Sequence, residues 1–174
     1  MKLWINDLAN KPLPGAVAAA AVAAAMGAAL FAKAARVTLQ RRELDGPVRD
    51  EVQALWDLAG RRQAALIQLA SADGHAYRAV LRAASLPASA PARISAWLLA
   101  TETPIRFAEA CRSLLEHSPP LLDTCWPALR PDLDIGIWLL ETGVRAGLAA
   151  AESNIGSCGD APETRSLRSR IDAL

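Results

Sequence analysis

The chain has 174 residues, of which 52% are apolar and only 5% aromatic, and its 19 Lys and Arg nearly balance its 18 Asp and Glu. That balance gives no electrostatic case for a nucleic-acid partner or an anionic membrane surface, and the apolar content excludes a disordered chain. The abundance of Ala, Leu, Arg and Glu, with few β-branched residues, excludes an all-β fold. We therefore expect a single all-α domain over residues 1–174, a bundle of long and partly kinked helices.

The predicted elements, in chain order, are helices separated by proline and glycine signals. They span about 3–9, 16–44, 47–84, 92–116, 121–126 and 132–153, followed by a short amphipathic tail helix. Pro12 and Pro14 separate the first two helices, and an Asp-Gly-Pro sequence at 45–47 ends the second and starts the third. Pro104 lies inside the fourth predicted helix, where we expect a kink.

The segment Ala16–Ala32 carries no charge and lies between Lys11 and Lys33. Its length approaches what a bilayer requires, but a helix that is apolar all round also suits the centre of a soluble domain. We favour the buried core helix, because Ala contributes little apolar area, and we expect no membrane partner. Since one domain of this size offers limited cover for such a helix, we expect a homodimer with this segment near the interface.

Cysteine and histidine residues show no disulfide or metal pattern. The cysteines are odd in number, widely spaced and without a Cys-x-x-Cys pair: Cys111, Cys125 and Cys158. His75 and His117 have no acidic or Cys neighbours at the spacing that metal ligands use. We expect reduced cysteines, no metal site and, because the N-terminus lacks the layout of a signal peptide, a cytoplasmic location.

Both ends of the Ala-rich helix could contact a ligand. Pro14-Gly15 immediately precedes it, and a helix N-terminus presents free backbone N–H groups with partial positive charge. The alternative at this end is an ordinary turn. At the other end, Arg41 and Arg42 either complement the helix dipole or bind a carboxylate ligand.

Two further helices carry candidate acids. Asp73 and Tyr77 are four residues apart on one face, where the acid is either a general acid or base or merely exposed. The helix after Pro131 carries a stripe of residues that nearly superimpose in projection. The stripe is either the polar wall of a pocket, with Trp138 as an aromatic platform, or a solvated face with a Glu141–Arg145 pair. Its members are Asp134, Trp138, Glu141, Arg145, Leu148 and Glu152.

Taken in order, these segments resemble the cyclodeaminase/cyclohydrolase family. That family includes methenyltetrahydrofolate cyclohydrolase and the cyclodeaminase domain of formiminotransferase-cyclodeaminase. Each matching segment is weak alone, but their order from about residue 3 to residue 157 makes chance a poor explanation. The segments are Leu13-Pro14-Gly15-Ala16-Val17, Ala25-Met26-Gly27-Ala28-Ala29-Leu30, Asp73-Gly74-His75-Ala76-Tyr77, Thr103-Pro104-Ile105 and Leu133-Asp134-Ile135-Gly136-Ile137.

The resemblance implies an all-α, dimeric enzyme of one-carbon metabolism whose ligand is a tetrahydrofolate or related pterin, with no separate cofactor. A cyclohydrolase adds water to the methenyl bridge, and a cyclodeaminase closes that bridge and expels ammonia. The catalytic residues implied are Asp134, as general base or amine anchor, and Asp73 as its polar partner. The residues expected to bind the substrate are Pro14, Gly15, Arg41, Arg42, Tyr77, Trp138 and Glu152.

The chain also departs from the family pattern. Its turn keeps only Gly15 of the usual glycines, and Ala16 and Val17 add bulk where a pterin would approach. Glu152 stands where the family has an Asn. The resemblance therefore implies a diverged member, and the alternative is a non-catalytic helical dimer, derived from that family, that binds a pterin or a protein partner.

Overall fold

The computed structural model describes residues 2–41 and 43–174, and every regular element within those residues is helical. A short 3-10 turn, Pro127–Leu129, leads into the sixth helix. The predicted all-α class is confirmed. The helices are α1 (Lys2–Asn10), α2 (Ala16–Thr38), α3 (Gly46–Ala83), α4 (Pro91–Glu116), α5 (Pro119–Thr124), α6 (Arg130–Ile155) and α7 (Pro162–Asp172).

The four long helices α2, α3, α4 and α6 form a bundle in which each packs mainly against two neighbours. α2 contacts α3 and α6, and α4 contacts the same two helices from the opposite side, while α7 packs on α4 and α6. Short connections join α2 to α3 and α3 to α4, as is typical of antiparallel neighbours. The largest buried side chains come from all four long helices and include Phe31, Leu66, Phe107, Leu114 and Leu140.

α2 packs through small side chains. Its buried face is mostly Ala, and a Cβ added to Gly27 would lie 2.8 Å from the carbonyl oxygen of Gly136 on α6. Among the residues described, α2 is the one helix long and apolar enough to cross a membrane. Its contacts with α3 and α6 support the core helix that the sequence predicted, because its alanines let both neighbours approach closely.

The C-terminal end of α2 corrects one sequence prediction. The sequence predicted a helix to about residue 44, whereas α2 ends at Thr38. Arg49, in the first turns of α3, donates hydrogen bonds of 2.7 Å to the carbonyl oxygens of Leu39 and Arg41. These bonds satisfy carbonyls beyond the last turn and place a cation at the negative end of the helix dipole. The end of α2 is therefore set by another helix, which local sequence does not reveal.

Pro104 lies inside α4, and the helix continues through it. Because proline has no N–H, the carbonyl of Ala100, four residues earlier, lacks its usual helical partner. The side-chain amide of Asn154 on α6 donates a hydrogen bond of 2.9 Å to that carbonyl. A Cβ on Gly147 of α6 would lie 2.6 Å from the Pro104 carbonyl oxygen, so the two helices are in backbone contact at the proline.

Candidate functional site

Asp73 of α3 lies against the N-terminal end of α2. The residue before α2, Gly15, provides no side-chain cap, and the Asp73 carboxylate accepts a hydrogen bond from the backbone N–H of Ala18. Oδ2 of Asp73 is 3.8 Å from the position that a Cβ on Gly15 would occupy. A carboxylate thus faces the positive end of the helix dipole. The structure therefore brings together Asp73 and Gly15, which the sequence selected separately; we call Gly15, Ala18 and Asp73 the α2 entrance.

The Asp73 carboxyl binds its proton more tightly than an ordinary aspartic acid does, because its pKa is raised. Burial raises its pKa above the ordinary value, and the hydrogen bond from Ala18 only partly opposes that rise. No Lys, Arg or His lies within ion-pair distance of it in the residues that the structure describes. A half-buried acid with a raised pKa and no cation partner is the kind of group that transfers protons in active sites.

A cleft of about 450 Å³ lies between α1, the turn before α2, and α3; we call it the α1 cleft. Its walls combine apolar and polar surface in similar amounts, and Ser71, His75 and Arg78 supply polar groups. Pro14 and Ala18 belong to its wall, so the cleft adjoins the α2 entrance. Such a mixture suits a flat, largely apolar ligand with a polar edge. The lining residues are Trp4, Leu13, Pro14, Ala18, Val22, Ile67, Ala70, Ser71, Gly74, His75 and Arg78.

The side chains that line the α1 cleft differ from those that the sequence favoured on α3. Tyr77 is 43% exposed and is not part of the cleft wall, whereas His75 and Arg78 are. The expectation that Tyr77 lines the pterin is therefore not met by this cleft. The helical spacing of Ser71, His75 and Arg78 was the available signal, and recognising it required knowing that Trp4 and Leu13 line the same cleft.

Val17 and Ala16 differ in their surroundings in the first turn of α2. The Val17 side chain is half-buried and packs against the hydrophobic core, while Ala16 is exposed. The expectation that both residues add bulk where a ligand would approach stays a prediction, and of the two the exposed Ala16 is the more accessible.

Asp134 has a partner within its own helix. It lies near the start of α6, and Arg130 Nε donates to its Oδ1 at 2.8 Å. The same arginine donates to the carbonyl oxygen of Leu122 at 3.4 Å, which ties the segment after α5 to α6. Asp134 is thus a paired, partly exposed acid, in contrast to Asp73. Trp138, one turn later, is 63% exposed.

The two acids do not share a site within one chain. Gly136 packs against Leu30 and Phe31, which places Asp134 near the level of Leu30 along α2. At a rise of about 1.5 Å per residue, this level is roughly 18 Å from Ala18. The expectation that Asp73 is the polar partner of Asp134 is therefore wrong for a single chain.

The remaining polar stripe of α6 is exposed. Glu141, Arg145 and Glu152 all face solvent, and the expected Glu141–Arg145 ion pair is not formed in the part of the chain that the structure describes. Glu152, expected to bind the substrate, contributes to neither the α2 entrance nor the α1 cleft. The polar residue that packs inward on the last turns of α6 is Asn154, which sequence reasoning missed.

Arg41 lies at the opposite end of α2 from Gly15. It is exposed; its Nη1 donates to the carbonyl oxygen of Thr124 at 3.3 Å, and its Nε is 3.8 Å from Glu43 Oε2. The length of α2, about 33 Å at 1.5 Å per residue, separates it from the α2 entrance. Arg41 therefore cannot bind the same small ligand as Gly15 within one chain. Arg42, its predicted companion, lies outside the described residues.

Metal-ligating and nucleophilic groups are not concentrated anywhere in residues 2–41 and 43–174. No three His, Cys, Asp or Glu side chains in those ranges come together as a metal site. The three cysteines are free thiols, and burial raises the pKa of Cys111 to about 12, so that thiol is inert near neutral pH.

The sequence pattern of the formiminotransferase-cyclodeaminase family matches residues 2–173 of the chain. Formimidoyltransferase-cyclodeaminase is 31% identical to it in Sus scrofa, over 189 aligned positions, and 29% identical in Rattus norvegicus, over 186. These alignments cover 100% of this chain and 34% of each relative, so the chain spans a minor part of their length. A crystal structure of formiminotetrahydrofolate cyclodeaminase from Thermotoga maritima has a similar fold: its TM-score is 0.88 at 20% identity, covering 99% of this chain and 86% of that one.

Proposed function

Because this chain belongs to the formiminotransferase-cyclodeaminase family, we propose that it acts on the one-carbon unit of a tetrahydrofolate, as a cyclodeaminase or a cyclohydrolase. The family membership confirms the resemblance drawn from the motifs. The observation that carries the activity is the half-buried Asp73 carboxyl at the α2 entrance, with its raised pKa and no cation partner among the described residues. The alternative of a non-catalytic dimer has no comparable observation in its favour.

Both reactions require a proton to move between heteroatoms. In the cyclodeaminase reaction, the folate nitrogen that does not carry the formimino group attacks the formimino carbon and loses its proton. The bond from that carbon to the formimino nitrogen then breaks, and the formimino nitrogen gains a proton and leaves as ammonia. In the cyclohydrolase reaction, water adds to the methenyl carbon and loses one proton to solvent. The resulting hydroxyl then loses its proton as one C–N bond of the bridge breaks and the nitrogen of that bond is protonated, which leaves a formyl group. Asp73 would take and return these protons, a role that supplies about 10²–10⁴-fold in rate.

The groups around Asp73 suit the rest of a pterin. The first turn of α2 presents backbone N–H groups, and Gly15 leaves them accessible, so a carbonyl or anionic oxygen can bind there. The α1 cleft offers both apolar surface and polar groups, the latter from Ser71, His75 and Arg78. We place the ligand across these two features, with its reacting carbon toward Asp73.

A homodimer through α2 would complete this site. Met26, near the middle of α2, is 46% exposed, and the half-buried Val22 and Leu30 lie one turn before and after it on the same side of the helix. If a two-fold axis crosses α2 at Met26, residue 18 of one protomer lies level with residue 34 of the other. Asp134, near the level of Leu30, then lies within about 6 Å along the axis of the partner's Asp73. The two acids that are separated in one chain would meet across the interface.

The partners in this proposal are the tetrahydrofolate substrate and a second copy of the chain. The reaction uses proton transfer and bond exchange only, so no separate cofactor is proposed, and neither nucleic acid nor membrane takes part. We place the protein in the cytoplasm on the basis of its cysteine usage.

A direct test measures both activities and then the sharing of the site. We expect the protein to form the methenyl chromophore from 5-formiminotetrahydrofolate, or to remove it from 5,10-methenyltetrahydrofolate. An equal mixture of Asp73→Asn and Asp134→Asn proteins, refolded together, should regain about a quarter of wild-type activity, because half of the dimers are mixed and each holds one intact site. As a control, Asp73→Asn mixed with the Asp73→Asn/Asp134→Asn double variant should regain nothing.

Two results would contradict separate parts of the proposal. Absence of turnover with either substrate, together with no thermal stabilisation by a panel of pterins, would remove the folate function. An active wild-type protein whose mixed variants show no recovery would instead overturn the sharing of one site between two protomers.

A further inference from the structure

A second cavity, distinct from the α1 cleft, lies between α3 and the corner where α4 gives way to α5. It has a volume of about 630 Å³, and we call it the α3–α5 cavity. It begins on the N-terminal half of α3, whereas the α1 cleft uses α3 from Ile67 onward, so the two share no residue. It is lined by Glu51, Ala54, Leu55, Leu58, Arg61, Arg62, Ser113, Glu116, His117, Pro119 and Pro120.

Arg62 is the unusual residue of this cavity. Its Nη2 donates to Ser113 Oγ at 3.2 Å, but its Nε is buried and has no hydrogen-bond partner. No carboxylate lies within 4 Å of its guanidinium in the residues that the structure describes. A half-buried cation without a carboxylate partner is costly, and a ligand carboxylate that accepts hydrogen bonds from N–H groups of the guanidinium relieves that cost.

The charges around Arg62 favour a ligand with a single negative charge. Arg61 adds a second cation, and Glu116 is already bound by Arg112, whose Nε lies 2.8 Å from its carboxylate. Glu51 contributes one negative charge to the wall and would repel a second acidic group on a ligand. His117 uses Nδ1 toward the Ser113 carbonyl oxygen, at 2.7 Å.

The remaining walls are apolar. Leu55 and Leu58 come from α3, and Pro119 and Pro120 come from the first turn of α5. The volume falls in the range of about 300–1,000 Å³ that small-molecule sites occupy. We propose that the α3–α5 cavity binds a small organic monocarboxylate with an apolar body, its carboxylate on Arg62 and its body between the leucines and the prolines.

The test uses 4-phenylbutyrate as the probe and 4-phenylbutan-1-ol as its uncharged counterpart, titrated into the ¹⁵N-labelled full chain. We expect phenylbutyrate to shift the amide resonances of Ser113 and His117, and the alcohol to bind at least tenfold more weakly. Arg62→Gln should weaken phenylbutyrate binding at least tenfold. Arg106→Gln, which removes an exposed cation from α4 outside the cavity, should leave the affinity unchanged.

The outcomes separate the proposal from simpler explanations. Equal affinity for the acid and the alcohol would show that the cavity is only an apolar groove and would overturn the proposal. Amide resonance shifts confined to the α1 cleft would also overturn it, as would the absence of any shift up to about 10 mM phenylbutyrate. If Arg62→Gln does not fold, Arg62→Lys replaces it in the test, because lysine keeps the charge but loses the planar pair of donors. A several-fold loss of affinity in that variant supports the proposal, and wild-type affinity overturns it.

Discussion

Asp73 and Asp134 are both acids on long helices of the same bundle, yet their surroundings differ. Asp73 is half-buried at the N-terminal end of α2, accepts a backbone hydrogen bond from Ala18, and has no cation partner in the described residues. Asp134 is partly exposed and is bound at 2.8 Å by Arg130, one turn earlier in α6. Asp73 is therefore the acid that remains available for chemistry, because neither a salt bridge nor full exposure to solvent already stabilises its charge.

The same difference appears at the two ends of α2. At its start, the chain supplies no side-chain cap, and an acid from α3 is left facing the free N–H groups. Beyond its end, Arg49 already occupies the carbonyl oxygens of Leu39 and Arg41. Free backbone donors remain at the start, whereas the acceptors at the end are in use. A ligand therefore finds more unsatisfied groups at the start.

The largest expected effect follows from the free acid. Asp73→Asn keeps the shape and an oxygen that can accept from Ala18, but it cannot take a proton. We expect kcat/KM for the folate substrate to fall about 100-fold, which corresponds to about 2.7 kcal/mol of transition-state stabilisation. Steady-state kinetics measured on methenyl absorbance, with circular dichroism to confirm the fold, would check this. Near-wild-type turnover would mean that the burial of Asp73 is structural.

The second effect concerns the close packing of α2 on α6, which sets the level of Asp134 along α2. Gly27→Ala would put a Cβ 2.8 Å from the Gly136 carbonyl oxygen and 3.0 Å from Leu139 Cβ, and backbone cannot move aside cheaply. We expect a loss of about 2 kcal/mol in the free energy of unfolding, measured by urea denaturation.

A matched control exists on α3. Gly60 is a helical glycine with nothing within 4 Å of an added Cβ. Gly60→Ala should therefore stabilise the protein by roughly 0.5–1 kcal/mol, the usual gain from replacing glycine inside a helix. If Gly27→Ala and Gly60→Ala changed the free energy of unfolding in the same direction, close packing of α2 on α6 would not be what positions Asp134.

The features that the sequence predicted are those set by periodicity and by local breakers. The Ala run predicted α2 as a core helix, and the prolines and glycines predicted most helix boundaries. Asp73 and Gly15 were each selected from their own segment. Their contact could not be predicted, because it depends on how the far end of α3 packs against the start of α2.

Other features depended on side chains from distant helices. Hydrogen bonds from Arg49 cap the end of α2, which is shorter than predicted, and Arg130 forms an ion pair with Asp134. Val17 is a further case: on a helix rich in small residues, the sequence does not say which face is inward. In the structure Val17 is half-buried and packs against the core.

The third effect tests Asp134 itself. If Asp134 enters the site of the partner protomer, Asp134→Asn should lower turnover about tenfold, or about 1.4 kcal/mol, less than Asp73→Asn because Arg130 already stabilises its charge. Glu141→Gln, two turns along the same exposed stripe, should change turnover less than twofold. Equal small losses in both variants would show that the stripe is only a solvated face.

The smallest effect is on the pH dependence of stability. Burial raises the pKa of Asp73 in the folded protein, so between its ordinary value of about 3.9 and that raised value the folded state binds more protons than the unfolded state. The stability that this group contributes is complete below the unfolded pKa and is lost as the pH rises through the folded one. Asp73→Asn should abolish that loss, so wild type should lose stability relative to the variant across this window.

Urea denaturation from about pH 4 to pH 7 measures the difference, with Ser71→Ala, which removes no titratable group, as the control. Parallel curves for wild type and Asp73→Asn would show that the carboxyl titrates alike in both states, and the distinction from Asp134 would then depend on the absence of a partner alone.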